Sequence, residues 1–174
     1  MKARLLALMV VASLPLMAFN CITDSFTIAL NLKPFNGTVR LNQGGTTGTY
    51  GGFFTVSPDS MYDSNTYALD GASVYDVRIG TVGPDLGAVH GTVTVNGILL
   101  LTYNGTWNDF LVPQSLINSP HITRNAPGVQ VLINAVVNDK PITFAVAGTE
   151  AVTPVPAGCS LVSQAFVQAY GHKK

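Results

Sequence analysis

The sequence predicts a mainly β protein, an antiparallel β-sandwich or small barrel with one helix packed on it near residues 126–138. Three observations carry that reading. Charged residues make up only 10% of the 174-residue chain against 47% hydrophobic, whereas a typical soluble domain is about a quarter charged. Exposed helix faces need Lys and Glu; strands can cover a wet face with Thr and Asn, as here. Apolar and polar residues alternate in short stretches separated by Gly, Pro and Asn, the period of half-buried strands. Finally, Asn96-Gly97 joins the runs GTVTV and ILLLTY, a strong short-range hairpin signal.

The first residues have a different character. Lys2 and Arg4 precede the apolar run Leu5 to Leu14, and Pro15 follows it shortly before the small residue Ala18. That run is shorter than the roughly 20 residues a membrane span requires, and its flanks match a secretory signal. Residues 1–20 are therefore expected to be a cleaved signal peptide, residues 21–170 a single β-rich domain and residues 171–174 a polar tail. The expected location is the cell envelope, in the periplasm or at an outer-membrane surface, or outside the cell.

Along the exported chain, Phe26, Ile28, Leu30 and Leu32 read as one buried face of a strand that Pro34 ends. Asn36-Gly37 is expected to turn the chain into a second strand, Thr38 to Leu41. A Gly-rich loop over 43–48 leads to a strand over Tyr50 to Val56, and Tyr75, Val77 and Ile79 form the inward face of another. In the Asn96-Gly97 hairpin, a two-residue turn places Val95 opposite Ile98 and Val93 opposite Leu100. Its second face, Thr94 with Leu99 and Thr92 with Leu101, is too apolar to be wholly wet, which calls for a cover on the back of the sheet. The candidate cover is the stripe Val129, Leu132, Ile133, Val136 and Val137, at helical spacing. Asn125 is placed as its N-cap, Pro127 in its first turn and Pro141 beyond its end. The same segment also alternates like a strand, so its type is left to the fold. A helical turn is expected at Pro113 to Ile117. Ile142, Phe144 and Val146 make a further strand, and Cys159 to Tyr170 a long last one.

The two cysteines, Cys21 and Cys159, admit two readings. An even count in an exported chain suits one disulfide, Cys21–Cys159. Alternatively, Met17 to Cys21 approximates a lipoprotein box, in which case Cys21 becomes the acylated first residue of a lipoprotein and Cys159 a lone buried thiol. The membrane would then be a partner only through a lipid on Cys21.

Chemistry is sparse. From Cys21 onward there are seven basic and nine acidic residues, a net charge of −2, and no basic patch, which argues against nucleic-acid binding. His90, His121 and His172 share no ligand spacing. Asp59, Asp63 and Asp70 crowd one segment without the periodicity of an EF-hand loop. No metal or cofactor is expected. Neither Gly-x-Ser-x-Gly nor Ser-x-x-Lys occurs, and Glu150, the one glutamate, offers no carboxylate pair for glycosidase chemistry. Asn36-Gly37-Thr38 and Asn104-Gly105-Thr106 have the form of glycosylation acceptors, and each Asn-Gly also suits a turn. Trp107, the single tryptophan, is expected to anchor the core edge. The functional expectation is a non-catalytic exported envelope domain, a structural or binding module with an unnamed protein or small-molecule partner. The rival is a soluble carrier holding an apolar small ligand between the sheet and the 126–138 helix.

Overall fold

The computed structural model describes residues 27–43, 48–151 and 154–174. Cys21 and the segment 1–20 lie outside the described residues, as does Phe26. Among the described residues, eleven strands form two antiparallel sheets. The first contains β1 (Ile28–Asn31), β2 (Phe35–Arg40), β5 (Tyr67–Val82), β8 (Gln114–Ser115) and β11 (Ser160–Lys173). β11 lies between β5 on one side and β1 and β2, which follow one another along its other side. The second sheet runs β3 (Asn42–Gln43), β4 (Thr49–Val56), β10 (Ile142–Glu150), β6 (Ala88–Val95), β7 (Ile98–Thr106) and β9 (Ile122–Arg124). The sheets pack as a β-sandwich around one continuous core, to which the helix α1 (Ala126–Val137) contributes Val129, Leu132, Ala135 and Val136.

Local chemistry explains where the elements begin and end. Asn96 and Gly97 have φ of 48° and 82°, the doubly positive pair that a tight hairpin turn requires. Asn96 also clamps the turn to β10, because its side-chain oxygen accepts from Thr143 N at 2.8 Å and its backbone N–H donates to Thr143 O at 2.8 Å. For α1, the Asn125 side chain accepts from Gly128 N at 3.4 Å, and Pro127 occupies the first turn, where no intrahelical donor is lost. The segment is thus a helix despite its strand-like alternation, because its inward face follows the period of 3.6.

Several expectations from the sequence are corrected. The Asn96-Gly97 hairpin holds its two-residue register for Val95–Ile98 and Thr94–Leu99, then slips, so that Val93 faces Leu101 and Leu100 is the extra residue. This bulge lets Leu100 and Leu101 both be fully buried, which strict alternation forbids. The helix does pack on that hairpin, touching β6 and β7, and it also touches β5 of the other sheet, so that it bridges the two. Asn36-Gly37 is not a turn but lies within β2, and the ring of Phe54 covers Gly37 where a Cβ would stand. The helical turn falls at Trp107–Phe110 rather than 113–117, fixed by the Asp109 carboxylate accepting from Thr106 N at 2.7 Å and Thr106 Oγ1 at 2.8 Å. These bonds hold the Asp109 carboxyl below its usual pKa. The last strand continues through the polar end, pairing His172 with Ala68 and Lys173 with Tyr67.

One row crosses the second sheet from Tyr50 through Gly148 and Gly91 to Tyr103. The two glycines leave a trough, and the tyrosines of β4 and β7 lie over it and meet hydroxyl to hydroxyl in the core. A Cβ on Gly91 or Gly148 would come within 2.4 Å and 2.6 Å of a tyrosine hydroxyl, respectively. Burial pushes the Tyr50 phenol up to about 12 and raises that of Tyr103 as well. An unfolded tyrosine ionises near pH 10, so the neutral pair favours the folded state fully below pH 10, and that contribution is lost as pH rises through about 12. The urea midpoint of unfolding should therefore decline between pH 10 and 12, and the decline should shrink in Tyr50→Phe. An equal decline in both proteins would mean that the pair is not its source.

Candidate functional site

β11 is the central strand of the first sheet, and its ladder is interrupted on both sides at the same rung. Along one edge, β2 pairs with Ser160 to Ala165 and β1 with Gln168 to Gly171. Phe166 and Val167 thus face the Leu32–Pro34 linker rather than a strand. Pro34, which has no N–H to give a ladder, makes that break natural. Along the other edge, Phe166 pairs with Asp76 and Val167 with Val74, leaving Tyr75 as the extra residue of a β-bulge. Bulges re-aim side chains. Tyr75 is 56% exposed, while Val74 and Val77 on either side are buried.

The result is a groove of about 450 Å³ lined by Leu32, Pro34, Tyr75, Phe166, Val167 and Gln168. The rings of Tyr75 and Phe166 stand with centroids 5.8 Å apart, tilted by 45°. Arg78 lies beside them, with its guanidinium carbon 4.9 Å from the centroid of Phe166, a cation–π distance. Its Nε donates to Asp76 Oδ2 at 2.9 Å. The Ser115 hydroxyl, brought in by β8, donates to Asp76 Oδ1 at 2.7 Å. Asp76 is therefore a buried carboxylate, 5% exposed, with both oxygens engaged. The Arg78 side chain is 48% exposed, so a ring and a carboxylate hold the guanidinium while part of it remains open to solvent. The groove thus sets an exposed aromatic ring beside a second ring that carries a guanidinium held by a buried carboxylate.

The residues singled out from the sequence lie elsewhere. Cys159 is buried, and its thiol donates to Pro84 O at 3.4 Å. Burial and then the nearby charge of Glu150 raise its pKa, which disfavours the reactive thiolate. His90 is exposed and shares a separate depression with Asn104 and Thr149. His121 sits edge-on to Phe110 at 5.8 Å, with Nδ1 3.1 Å from Asn104 O. His172 pairs with Asp70 at 3.1 Å. Asp59 accepts from the Ser64 hydroxyl at 2.6 Å and Asp63 from the Thr66 hydroxyl at 2.6 Å. The Thr66 bond and then that from the Asn65 N–H hold the Asp63 carboxyl below its usual pKa. Among the described residues, no three of His, Cys, Asp and Glu gather to hold a metal ion. Nor is any helix among them long and apolar enough to cross a membrane. Asn36 and Asn104 lie in strands with exposed side chains. Trp107 is buried and donates from Nε1 to Gly83 O at 3.3 Å.

Reading the sequence missed Tyr75 as an exposed residue, because Tyr75, Val77 and Ile79 make a regular inward face. The available signal was the adjacent pair Val74-Tyr75: two large apolar residues in succession inside a half-buried strand point either way unless a bulge separates them. No family model, curated protein or solved structure matches the chain.

Proposed function

We propose that this protein is a non-catalytic exported β-domain, acting at the cell envelope or outside the cell as a binding module that takes its ligand in the Tyr75–Phe166 groove. The observation that carries the proposal is the doubly interrupted rung at Phe166 and Val167, which exposes Tyr75 on rigid backbone beside the held Arg78. Fixing large side chains there reduces the entropy lost when a ligand docks. Tyr75 keeps more than half of its surface open to solvent, where a ligand can reach it. Export rests on the character of residues 1–20.

Two measurements test the reading. The intact mass of the protein from its native host should correspond to a chain beginning at or near Cys21; a mass that still includes residues 1–18 overturns export. The purified domain should co-sediment with envelope fragments of that host, and Tyr75→Ala should abolish the retention. Tyr75 is more than half exposed, so this change should shift stability by only about 0.5–1 kcal/mol, which urea unfolding checks. Equal retention of both proteins would remove the groove from the function.

A further inference from the structure

We infer that a Cys21–Cys159 disulfide and this fold exclude one another: while β1 is paired to β11 the two cysteines cannot meet, and Cys159 stays a sealed thiol. Cys159 immediately precedes β11, and its carbonyl accepts from Leu41 N at 3.0 Å, which carries the β2 ladder one step past the pair Arg40–Ser160. β1 lies at the other end of β11, where Ile28 stands opposite Gly171. Twelve residue steps separate Cys159 from Gly171, about 38 Å along an extended strand. Only seven steps lead from Cys21 to Ile28, and they reach at most about 25 Å when pulled straight. Bonded cysteines need Cα atoms within about 7 Å of each other. The reach therefore falls short by several ångströms, even for a segment doubled back along the sheet with no detour.

Access to Cys159 is closed as well. It is 0% exposed, and its thiol donates to Pro84 O at 3.4 Å. The corner at Gly83 sits directly on it, so that a Cβ on Gly83 would stand 2.6 Å from Gly158 O and 2.9 Å from Cys159 Cα. Joining the cysteines requires stripping Ile28–Asn31 from β11 and lifting Cys159 out from under Gly83 and Pro84. With β1 released, the next fixed point is Phe35, opposite Ala165. Fourteen steps then lead back to Cys21, and only six separate Ala165 from Cys159, so the bond is within reach. It can form in the unfolded chain, and once formed it bars β1 from its place. An acyl group on Cys21 makes no such demand and is compatible with the fold.

Two experiments test the exclusion. In protein from the native host, thiols blocked in urea before digestion should leave Cys159 carrying the blocking group; a Cys21–Cys159 peptide pair from folded monomer overturns the inference. The second experiment reads a sign. The exported chain, residues 21–174, is unfolded in urea and treated with an azodicarboxamide, which takes two electrons and two protons from the two thiols and leaves as the hydrazine. The monomer lighter by two hydrogens is then returned to buffer. A cross-link closing so long a loop ordinarily raises the urea midpoint by restricting the unfolded chain. Here the midpoint should fall below that of the reduced chain. Amide exchange should find Ile28–Asn31 less protected by about tenfold or more, and dithiothreitol should restore both. Monomeric Cys21→Ser put through the same treatment should refold like the reduced chain, which separates the bond from oxidation elsewhere. A cross-linked monomer as protected at β1 as the reduced chain, or with a higher midpoint, means that the cysteines meet within the fold and overturns the exclusion.

Discussion

Replacing Gly128 by alanine is expected to destabilise the domain by about 2 kcal/mol or more, against the usual direction for such a change in a helix. Inside an exposed helix, Gly→Ala gains about 1 kcal/mol, because alanine loses less backbone freedom on folding. Gly128 stands in the first turn of α1, where the helix crosses β7 closely. A Cβ there would lie 2.0 Å from Leu99 O and 2.5 Å from Leu100 Cα. Both are backbone atoms and cannot rotate aside as a side chain would. The helix would have to lift, straining the 2.8 Å bond from Asn125 N to Leu100 O and loosening Val129 and Leu132 against the core. Urea unfolding followed by circular dichroism reads the sign directly. A Gly128→Ala protein as stable as the parent would mean that α1 does not approach β7 this closely.

Trp107→Ala should have the largest effect, a loss of about 3–5 kcal/mol. Trp107 is 1% exposed and among the largest fully buried side chains, so truncation leaves a cavity that the surrounding strands cannot collapse to fill. Its surroundings are also tied by hydrogen bonds. The indole N–H donates to Gly83 O at 3.3 Å, its backbone N–H to Gly87 O at 2.7 Å, and its carbonyl accepts from the Thr81 hydroxyl at 2.9 Å. The short turn carrying Trp107 thereby pins the β5–β6 connection to the end of β7. Trp107→Phe keeps most of the apolar volume and gives up only the indole bond, so it should cost about 1–2 kcal/mol. Because the parent holds a single tryptophan, circular dichroism rather than fluorescence must follow both variants. If the alanine variant lost less than about 1 kcal/mol, Trp107 would not be the anchor its burial implies.

Much of the candidate site was hidden in the sequence for one physical reason. Its position depends on where three non-adjacent segments meet: the bulged β5, the strand β11 and the linker Leu32–Pro34. Each is ordinary by itself. Phe166 alternates correctly within β11, Pro34 ends a strand as prolines do, and Tyr75 fits an inward face as well as an outward one. Only pairing β5 with β11 reveals the extra residue, and only then does Tyr75 turn outward. The buried Asp76 is similar: it looks like a solvated residue between Tyr75 and Val77 until Arg78 and Ser115 are seen to enclose its carboxylate.

By itself, the sequence determined the class of fold and its punctuation. Period-two alternation makes strands wherever one face must be buried; Asn96-Gly97 makes its turn because both residues tolerate positive φ; Asn125 and Pro127 start α1 with their own side chains. Each of these preferences is local to the residues that express it. The tertiary structure decided registers and faces. It let Leu100 and Leu101 bury together, kept Asn36-Gly37 extended beneath Phe54, joined α1 to β5 as well as to the β6–β7 hairpin, and exposed Tyr75. In each case the local pattern allowed two outcomes. The chosen one is that in which distant neighbours fill space and satisfy the backbone, and that information resides in the contacts between segments rather than in any one of them.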